Sequence, residues 1–156
     1  MSVLRFELTD EQAMLDLGAV IARVLPALPH RFLVTLNGDL GAGKTTLVRG
    51  VLRGLGYEGR VKSPTYPLLE LYKRTNFVLN HFDLYRLEAP EALIEAGFQE
   101  NLGGPGISFV EWPDRAGSFL PAIDWKILIE DSTAGGRVLV IEALSAQGEA
   151  CLNHLA

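Results

Sequence analysis

A glycine-rich turn between an apolar run and a helical pattern constrains the fold of this 156-residue chain more than any other feature. Residues 38–45 read GDLGAGKT and match the pattern GxxxxGK[ST] at every fixed position. The continuous apolar run at residues 32–36 predicts a strand that is buried on both faces. The segment from about Lys44 to Leu55, closed by Gly56, predicts a helix. A buried strand, a tight turn and a helix in this order are typical of α/β proteins.

The same turn predicts an anion site at the start of the helix. The first backbone N–H groups of a helix have no partner inside it, and the helix dipole adds to their attraction for phosphate. Glycines let the backbone lie close to phosphate groups, the Lys44 amine can reach the β- and γ-phosphates, and the Thr45 hydroxyl can bind Mg²⁺. We therefore predict that a phosphate-binding loop binds a nucleotide through Gly38, Asp39, Leu40, Gly41, Ala42, Gly43, Lys44 and Thr45.

The remaining segments alternate between strand and helix patterns. Strands are predicted at residues 3–8, 32–36, 66–73, 77–85, 106–110, 123–130 and 137–143. Helices are predicted after an N-cap at Thr9 up to about residue 25, at residues 44–55 and at residues 90–99. Turns at residues 74–76 and 135–136 indicate two hairpins. We therefore predict a three-layer α/β fold of the P-loop NTPase type, whose mixed sheet has a parallel core, antiparallel hairpins and helices on both faces.

Length and composition indicate one domain spanning residues 1–156. No apolar run approaches the roughly 18 residues of a membrane span, and the charged start of the chain is unlike a signal peptide. Because the single cysteine, Cys151, cannot form an internal disulfide, nothing in the sequence calls for an oxidising compartment, and we expect a soluble, cytoplasmic protein. We also expect a monomer. The net charge of −5 and the scattered basic residues argue against direct binding of nucleic acid, so a role in a nucleic-acid process would need a protein partner.

Two acidic residues end predicted strands and are candidates for the chemistry of a nucleotide site. Asp83 closes the run at residues 77–82, and Glu111 closes the run at residues 107–110. An acid at the carboxyl end of a strand faces the site edge of an open α/β sheet, where nucleoside triphosphatases use one to hold Mg²⁺ directly or through water. The alternative is that each acid caps a following helix, which Glu111, ahead of Pro113, could do more easily than Asp83.

A second loop follows the helix predicted at residues 44–55 and could approach the γ-phosphate. It reads SPTY at residues 63–66, where Thr65 could offer its hydroxyl or carbonyl oxygen to Mg²⁺ or water. The same residues also fit an ordinary turn before a strand. His81 could act as a base, although a histidine inside a strand is more often structural. The guanine-reading motif Asn-Lys-x-Asp does not occur in the sequence, so ATP is the predicted nucleotide.

Four blocks of sequence, in this order, resemble the TsaE (YjeE) family of small bacterial ATPases in tRNA threonylcarbamoyladenosine biosynthesis. They read NGDLGAGKTT at 37–46, KSPTY at 62–66, HFDLYRL at 81–87 and VEWP at 110–113. The resemblance implies a Mg²⁺-dependent ATPase that is weak alone and acts with the proteins TsaD and TsaB. It further implies modification of the adenosine next to the anticodon in tRNAs that read codons beginning with A, with the tRNA contacted only indirectly.

The resemblance also implies catalytic and metal-binding roles. Lys44 would neutralise the phosphates, and Thr45 and Glu111 would bind Mg²⁺. Thr65 would be the switch threonine, and Asp83 would be a catalytic or water-positioning acid. The division of the catalytic role between Thr65 and Asp83 stays open.

Three more residues would contact the nucleotide outside the loop, and Thr46 would extend the loop itself. By the same resemblance, Asp10 and Glu11 would lie on the adenine side, and Arg137 would supply a further contact. Two other functions remain as alternatives, namely a small-molecule kinase and a non-catalytic nucleotide sensor. The kinase would need an arginine-bearing lid, for which the stretch at 113–121 offers only Arg115.

Overall fold

The computed structural model describes residues 2–39, 41–64 and 68–156. The strands are β1 (Val3–Leu8), β2 (Arg31–Asn37), β3 (Leu69–Lys73), β4 (Val78–Asp83), β5 (Gly106–Glu111), β6 (Trp125–Asp131) and β7 (Arg137–Ala143). The helices are α1 (Glu11–Val24), α2 (Lys44–Gly54), α3 (Glu91–Glu95), α4 (Gln99–Gly103) and α5 (Ala146–Leu155), with a 3-10 segment at Pro113–Phe119. Within these ranges, no helix is long and apolar enough to cross a bilayer.

In the part of the chain that the structure describes, seven strands form a mixed sheet in the order β1-β7-β6-β2-β5-β4-β3. The central strands β6, β2, β5 and β4 are mutually parallel. At one edge β3 pairs antiparallel with β4, and at the other edge β7 pairs antiparallel with both β6 and β1. The predicted parallel core and both predicted hairpins are confirmed.

The two faces of the sheet bury separate apolar clusters. Alternate residues of β2 point to opposite faces, so that Phe32 and Val34 join one cluster and Leu33 joins the other. The first cluster contains residues of α1, α2 and α5, and the second contains residues of α3, α4 and the 3-10 segment. Helices therefore cover both faces, which confirms the predicted three layers.

Helices α1 and α2 approach each other closely because small residues line their contact. A Cβ atom added at Gly18 would lie 2.6 Å from the carbonyl oxygen of Leu47 and 2.8 Å from Cα of Gly50. Neither distance leaves room for a side chain, so the two backbones nearly touch. This contact fixes α2, and with it the phosphate-binding loop, against the rest of the layer.

Two local predictions were wrong, and one helix was not predicted. The N-cap of α1 is Asp10, whose Oδ1 accepts from the Ala13 N–H at 2.8 Å, one residue after Thr9. The helix predicted at residues 90–99 is two short helices, α3 and α4, which are separated at Gly97, where φ is 77°. The tail after Ala143, for which no structure was predicted, forms α5 behind an N-cap at Ser145.

Candidate functional site

The phosphate-binding loop connects the carboxyl end of β2 to the first turn of α2. Gly43, the N-cap of α2, has a φ of 107°, a conformation that L side chains rarely adopt. At Gly38 the loop lies against β6, where a Cβ atom would be 2.7 Å from the carbonyl oxygen of Ile129. Among the residues that the structure describes, no side chain caps the start of α2. The first N–H groups of this helix therefore remain available to an anion.

Lys44, the first residue of α2, is buried at the end of the loop. Its Nζ donates to the carbonyl oxygen of Gly38 at 2.9 Å and pairs with Oε1 of Glu111 at 3.1 Å. Nζ also lies 5.7 Å from the centre of the Trp112 ring, within the range of a cation–π contact. The lysine predicted to bind phosphate thus has partners within the protein that a phosphate group could replace.

Glu111 lies at the end of β5, and each of its carboxylate oxygens has a partner within the protein. Oε1 pairs with Lys44, and Oε2 accepts from Nε2 of His81 at 2.7 Å. Burial acts to raise the pKa of Glu111, but the hydrogen bond from His81 and the electrostatic influence of His81 and Lys44 outweigh it, so the pKa is lowered. Glu111 is therefore an ionised carboxylate at neutral pH.

Asp83, at the end of β4, lies in register with Glu111 on the neighbouring parallel strand. Its Oδ1 accepts from the Tyr85 N–H at 3.0 Å. Burial raises the pKa of Asp83, the hydrogen bond from Tyr85 offsets only part of that rise, and the charge of Glu111 adds to it. Two adjacent carboxyl groups therefore have pKa values shifted in opposite directions, a pattern associated with acid and base chemistry.

Thr45 follows Lys44 in α2 and is tied to the second predicted loop. Its Oγ1 lies 2.6 Å from Oγ of Ser63 in a hydroxyl–hydroxyl hydrogen bond. This bond holds the Ser63 side chain next to the first turn of α2. The predicted site residues Leu40 and Thr65 lie outside the described residues.

Oxygen donors suited to Mg²⁺ surround Lys44. Ser63, Asp83 and Glu111 line one cleft with it, and the Thr45 hydroxyl is bonded to Ser63. Across the described ranges, no three His, Cys, Asp or Glu side chains form a metal-binding cluster. Mg²⁺ usually takes one or two carboxylates and completes its coordination with phosphate oxygens and water, so this donor set fits it.

Two aromatic side chains stand exposed at the mouth of this cleft. Trp112 directly follows Glu111, and its φ of 57° is unusual for a residue other than glycine. Its ring centre lies 5.0 Å from that of Tyr85, and the Arg115 guanidinium lies 5.8 Å from the Tyr85 ring centre. The left-handed backbone at Trp112 turns the chain at the end of β5 and presents the ring beside Lys44.

A second cleft beside the loop brings together residues that are far apart in the sequence. It has a volume of about 370 Å³ and is lined by Asp10, Glu11, Thr46 and Arg137, among others. The Arg137 guanidinium donates to the carbonyl oxygens of Gly41 and Ala42, each at 3.3 Å. Arg137 also lines a third, larger cleft of about 700 Å³ with Gly38, Asp39 and Lys44. This third cleft and the second one therefore adjoin at the loop.

The structure thus gathers the predicted residues in two groups around one loop. The cleft that contains Ser63 is also lined by Lys44, Asp83 and Glu111. The second cleft is lined by Asp10 and Glu11, the residues expected on the adenine side. The pairing of His81 with Glu111 was not foreseen. A signal was present, since His81 precedes Asp83 by two residues, and residues two apart in a strand share a face.

Comparison with known proteins identifies the family. A family model described as "Threonylcarbamoyl adenosine biosynthesis protein TsaE" matches residues 8–139. This chain belongs to the TsaE family. Two relatives, each named tRNA threonylcarbamoyladenosine biosynthesis protein TsaE, illustrate the similarity. The Haemophilus influenzae protein is 44% identical over 123 residues, which cover 78% of each chain. The Treponema pallidum protein is 36% identical over 124 residues, which cover 80% of this chain and 89% of that protein.

A solved structure extends the TsaE-family likeness to the fold. The crystal structure of Bacillus subtilis YdiB is similar with a TM-score of 0.82 and 25% sequence identity, and the match covers 99% of this chain and 94% of that chain. The mixed sheet with a parallel core is therefore a fold that this chain shares with a known protein. The resemblance that the four sequence blocks suggested is confirmed.

Proposed function

We propose that this TsaE-family chain is a Mg²⁺-dependent ATPase that serves the threonylcarbamoyl modification of tRNA. The observation that supports it best is the convergence of Lys44, Asp83 and Glu111 beside a phosphate-binding loop. Each of these side chains comes from a different element, and their contacts bring one cation and two carboxyl groups together at the carboxyl end of the sheet. Phosphoryl transfer requires little more than such positioning of charge.

In this proposal the loop residues from Gly38 to Thr46 bind the phosphates of ATP. Lys44 exchanges its present partners, Gly38 and Glu111, for phosphate oxygens. Asp10, Glu11 and Arg137 contact the rest of the nucleotide from the second cleft, which shares Gly41, Ala42 and Gly43 with the loop.

Mg²⁺ would be held by the Thr45 hydroxyl and the Glu111 carboxylate. When bound, it would neutralise charge on the β- and γ-phosphates. The departure of Lys44 would free Oε1 of Glu111, while Oε2 stays bonded to His81. The Thr45 hydroxyl would exchange its bond to Ser63 for the metal.

Asp83 is proposed to orient the attacking water, alone or with Thr65. Its raised pKa suits a group that accepts a proton, because a more basic carboxylate binds the proton of water more strongly. Arg86 lines the same cleft as Asp83 and Lys44, and it forms no ion pair within the described ranges. Arg86 is therefore a candidate to stabilise the transition state once a partner orders the site.

We further propose that the chain acts as one domain, as a monomer in the cytoplasm, with TsaD and TsaB as partners. The modified position would be the adenosine next to the anticodon of tRNAs that read codons beginning with A. The net charge of −5 supports indirect contact with the tRNA, because a direct contact would need a basic surface.

ATP turnover by the purified chain, with and without TsaD and TsaB, tests the proposal. We expect slow, Mg²⁺-dependent turnover alone and faster turnover with the partners. Lys44→Ala should reduce turnover by about 100-fold or more, since it removes a charge that stabilises the transition state. Lys73→Ala, which removes an exposed lysine at the end of β3, is the matched control and should turn over ATP normally.

Other outcomes would contradict this proposal in different ways. Fast hydrolysis without partners, or normal turnover by Lys44→Ala, would show that the site does not work as described. Phosphate transfer to a small acceptor would favour a kinase. ATP binding without turnover, even with both partners, would favour a nucleotide sensor.

A further inference from the structure

The buried imidazole of His81 lies between β4 and the carboxylate of Glu111. We propose that His81 is a positioning residue, which fixes Glu111 so that one carboxylate oxygen faces the phosphate-binding loop when Lys44 moves to the phosphates. This inference rests on the proposed function, because it assigns a role in holding Mg²⁺ to a residue outside the predicted site.

The two oxygens of Glu111 have different partners, and this difference is the basis of the inference. Oε2 lies 2.7 Å from Nε2 of His81, and Oε1 lies 3.1 Å from Nζ of Lys44. An ionised carboxylate only accepts hydrogen bonds, so Nε2 of His81 carries the proton and donates it. His81 is fully buried in the sheet, whereas Lys44 is at the start of a helix beside an open cleft.

A purely structural role accounts poorly for a histidine at this position. The neighbours of His81 in the sheet are Phe109 on β5 and Glu70 on β3. Its second ring nitrogen, Nδ1, is buried and has no hydrogen-bond partner among the described residues. Burial of an unpaired polar atom costs free energy that an apolar side chain would avoid. The bond from Nε2 to Glu111 is the interaction that offsets this cost.

The consequence appears when phosphate groups compete for Lys44. If Lys44 leaves, Glu111 loses the partner of Oε1 but keeps the hydrogen bond to His81. Oε1 then faces the loop as a free acceptor, in the place where Thr45 and the phosphates would share Mg²⁺. Without the hydrogen bond from His81, the carboxylate could rotate and follow Lys44, which would weaken Mg²⁺ binding and hold the lysine away from the phosphates.

Two substitutions at residue 81 separate this role from a structural one. The amide nitrogen of Gln can occupy the place of Nε2, whereas the shorter Asn places its amide near Nδ1. His81→Gln should therefore keep the bond to Glu111, and His81→Asn should lose it. Both side chains are polar and neutral, so they form a matched pair. His81→Phe adds a ring of similar size without a donor.

The measurement is ATP affinity by calorimetry, with Mg²⁺ and with EDTA, together with kcat. The native chain should bind ATP more tightly with Mg²⁺ than with EDTA. His81→Asn and His81→Phe should lose about 10- to 100-fold of this gain, the usual effect of removing a group that orients a metal ligand. Affinity in EDTA should change by about twofold or less, and His81→Gln should regain most of the loss. A role limited to packing would instead weaken binding equally in both buffers.

A double-mutant cycle with Glu111→Gln completes the test. If His81 acts through Glu111, His81→Asn should have little further effect on the Mg²⁺ gain in the Glu111→Gln background. The inference would be overturned if Mg²⁺ increased ATP affinity equally in His81→Gln and His81→Asn. It would also be overturned if the losses caused by His81→Asn and Glu111→Gln were fully additive. A native chain that binds ATP equally with and without Mg²⁺ would also overturn it, while leaving ATP binding intact. A native chain that binds no ATP would overturn the proposed function itself.

Discussion

At the scale of single residues, the two acids at the ends of β4 and β5 differ in how the protein stabilises their charge. Glu111 has two donors, and its pKa is lowered despite burial, whereas burial dominates at Asp83 and its pKa is raised. A lowered pKa in the folded state means that the ionised carboxylate stabilises the fold. A raised pKa means that ionisation of the carboxylate destabilises it. The same edge of the sheet therefore contains one stabilising and one destabilising charge at neutral pH.

We predict that Asp83→Asn makes the protein more stable and less active. The folded state binds the Asp83 proton more tightly than the unfolded state, so stability falls as the pH rises through the range between the two pKa values. At pH 7 the substitution removes that penalty, and thermal unfolding should shift upward by a few degrees. The shift should vanish at about pH 3, where aspartate is largely protonated in both states. Turnover should fall by about 100-fold or more. Lower stability at pH 7 would contradict this account.

Glu111→Gln should have the opposite effect on stability. Because the pKa of Glu111 is lowered, its contribution is complete above the ordinary pKa of glutamate and is lost as the pH falls. At pH 7 we expect the free energy of unfolding to fall by about 1–3 kcal/mol, since the buried donors of Lys44 and His81 lose a charged acceptor. Urea denaturation at pH 7 measures this loss. An unchanged midpoint would show that the contacts of Glu111 contribute nothing to the fold.

The sequence predicts these acids but not their partners. Asp83 and Glu111 stand out because each ends an apolar run, which is a local property of the chain. The bond between His81 and Glu111 depends on the register of β4 against β5, where His81 is opposite Phe109 and Asp83 is opposite Glu111. Register is decided by the packing of the whole sheet, so a single sequence does not reveal it.

At the scale of elements, the contact between α1 and α2 determines where the phosphate-binding loop can lie. The loop ends at the first residue of α2, and α2 is packed against α1 through glycines with no space for a side chain. A close contact between backbones restricts sliding and rotation of one helix against the other. The position of Lys44 therefore depends on residues of α1 that never approach the cleft.

We predict that Gly18→Ala destabilises the fold by about 1–3 kcal/mol, because its Cβ would clash with the backbone of Leu47 and Gly50 and force the helices apart. The measurement is the free energy of unfolding in urea. Gly103→Ala is the control, since Gly103 ends α4 with no atom within 4 Å of an added Cβ. Alanine is the better helix former, so this control should be neutral or slightly stabilising. Equal effects of the two variants would refute the packing argument.

Element prediction succeeded where the hydrophobic pattern is strong and failed where it is weak. Strand β5 is buried at every residue and is mostly apolar in sequence, so its position was predicted within one residue. Helix α5 buries only Gly148, Cys151 and Leu152, too few apolar positions to form a visible stripe. The break between α3 and α4 comes from the positive φ of Gly97, which the sequence permits but does not require.

At the scale of the whole molecule, the order of the strands assembles a site from distant parts of the chain. Strand β7 pairs with β1, which places Arg137 opposite Leu8, just before Asp10 and Glu11. The hairpin of β6 and β7 was predicted from its turn, but nothing local in the sequence indicates that β1 joins it. Asp10, Glu11 and Arg137, the nucleotide contacts expected from family resemblance, therefore share a cleft because β1 pairs with β7.

The two tryptophans of the chain occupy contrasting environments, and this gives the protein two independent fluorescence signals. Trp125 is fully buried, packs edge-on against Phe32 at 5.3 Å, and donates from Nε1 to the carbonyl oxygen of Gly148 at 2.8 Å. Trp112 is 42% exposed, with its ring beside the Lys44 amine. Emission from the first therefore reports on the integrity of the sheet, and emission from the second reports on the movement of charge near the loop.

We predict that ATP changes the intensity or wavelength of tryptophan emission, because Lys44 leaves the Trp112 ring when it binds phosphate. Trp112→Phe should remove this response and keep the spectral shift that accompanies unfolding in urea. Trp125→Phe should keep the response to ATP and lose most of the spectral shift that accompanies unfolding. A response to ATP that persists in Trp112→Phe would contradict this assignment. Nucleotide binding and unfolding can thus be followed at separate optical probes in one unlabelled chain.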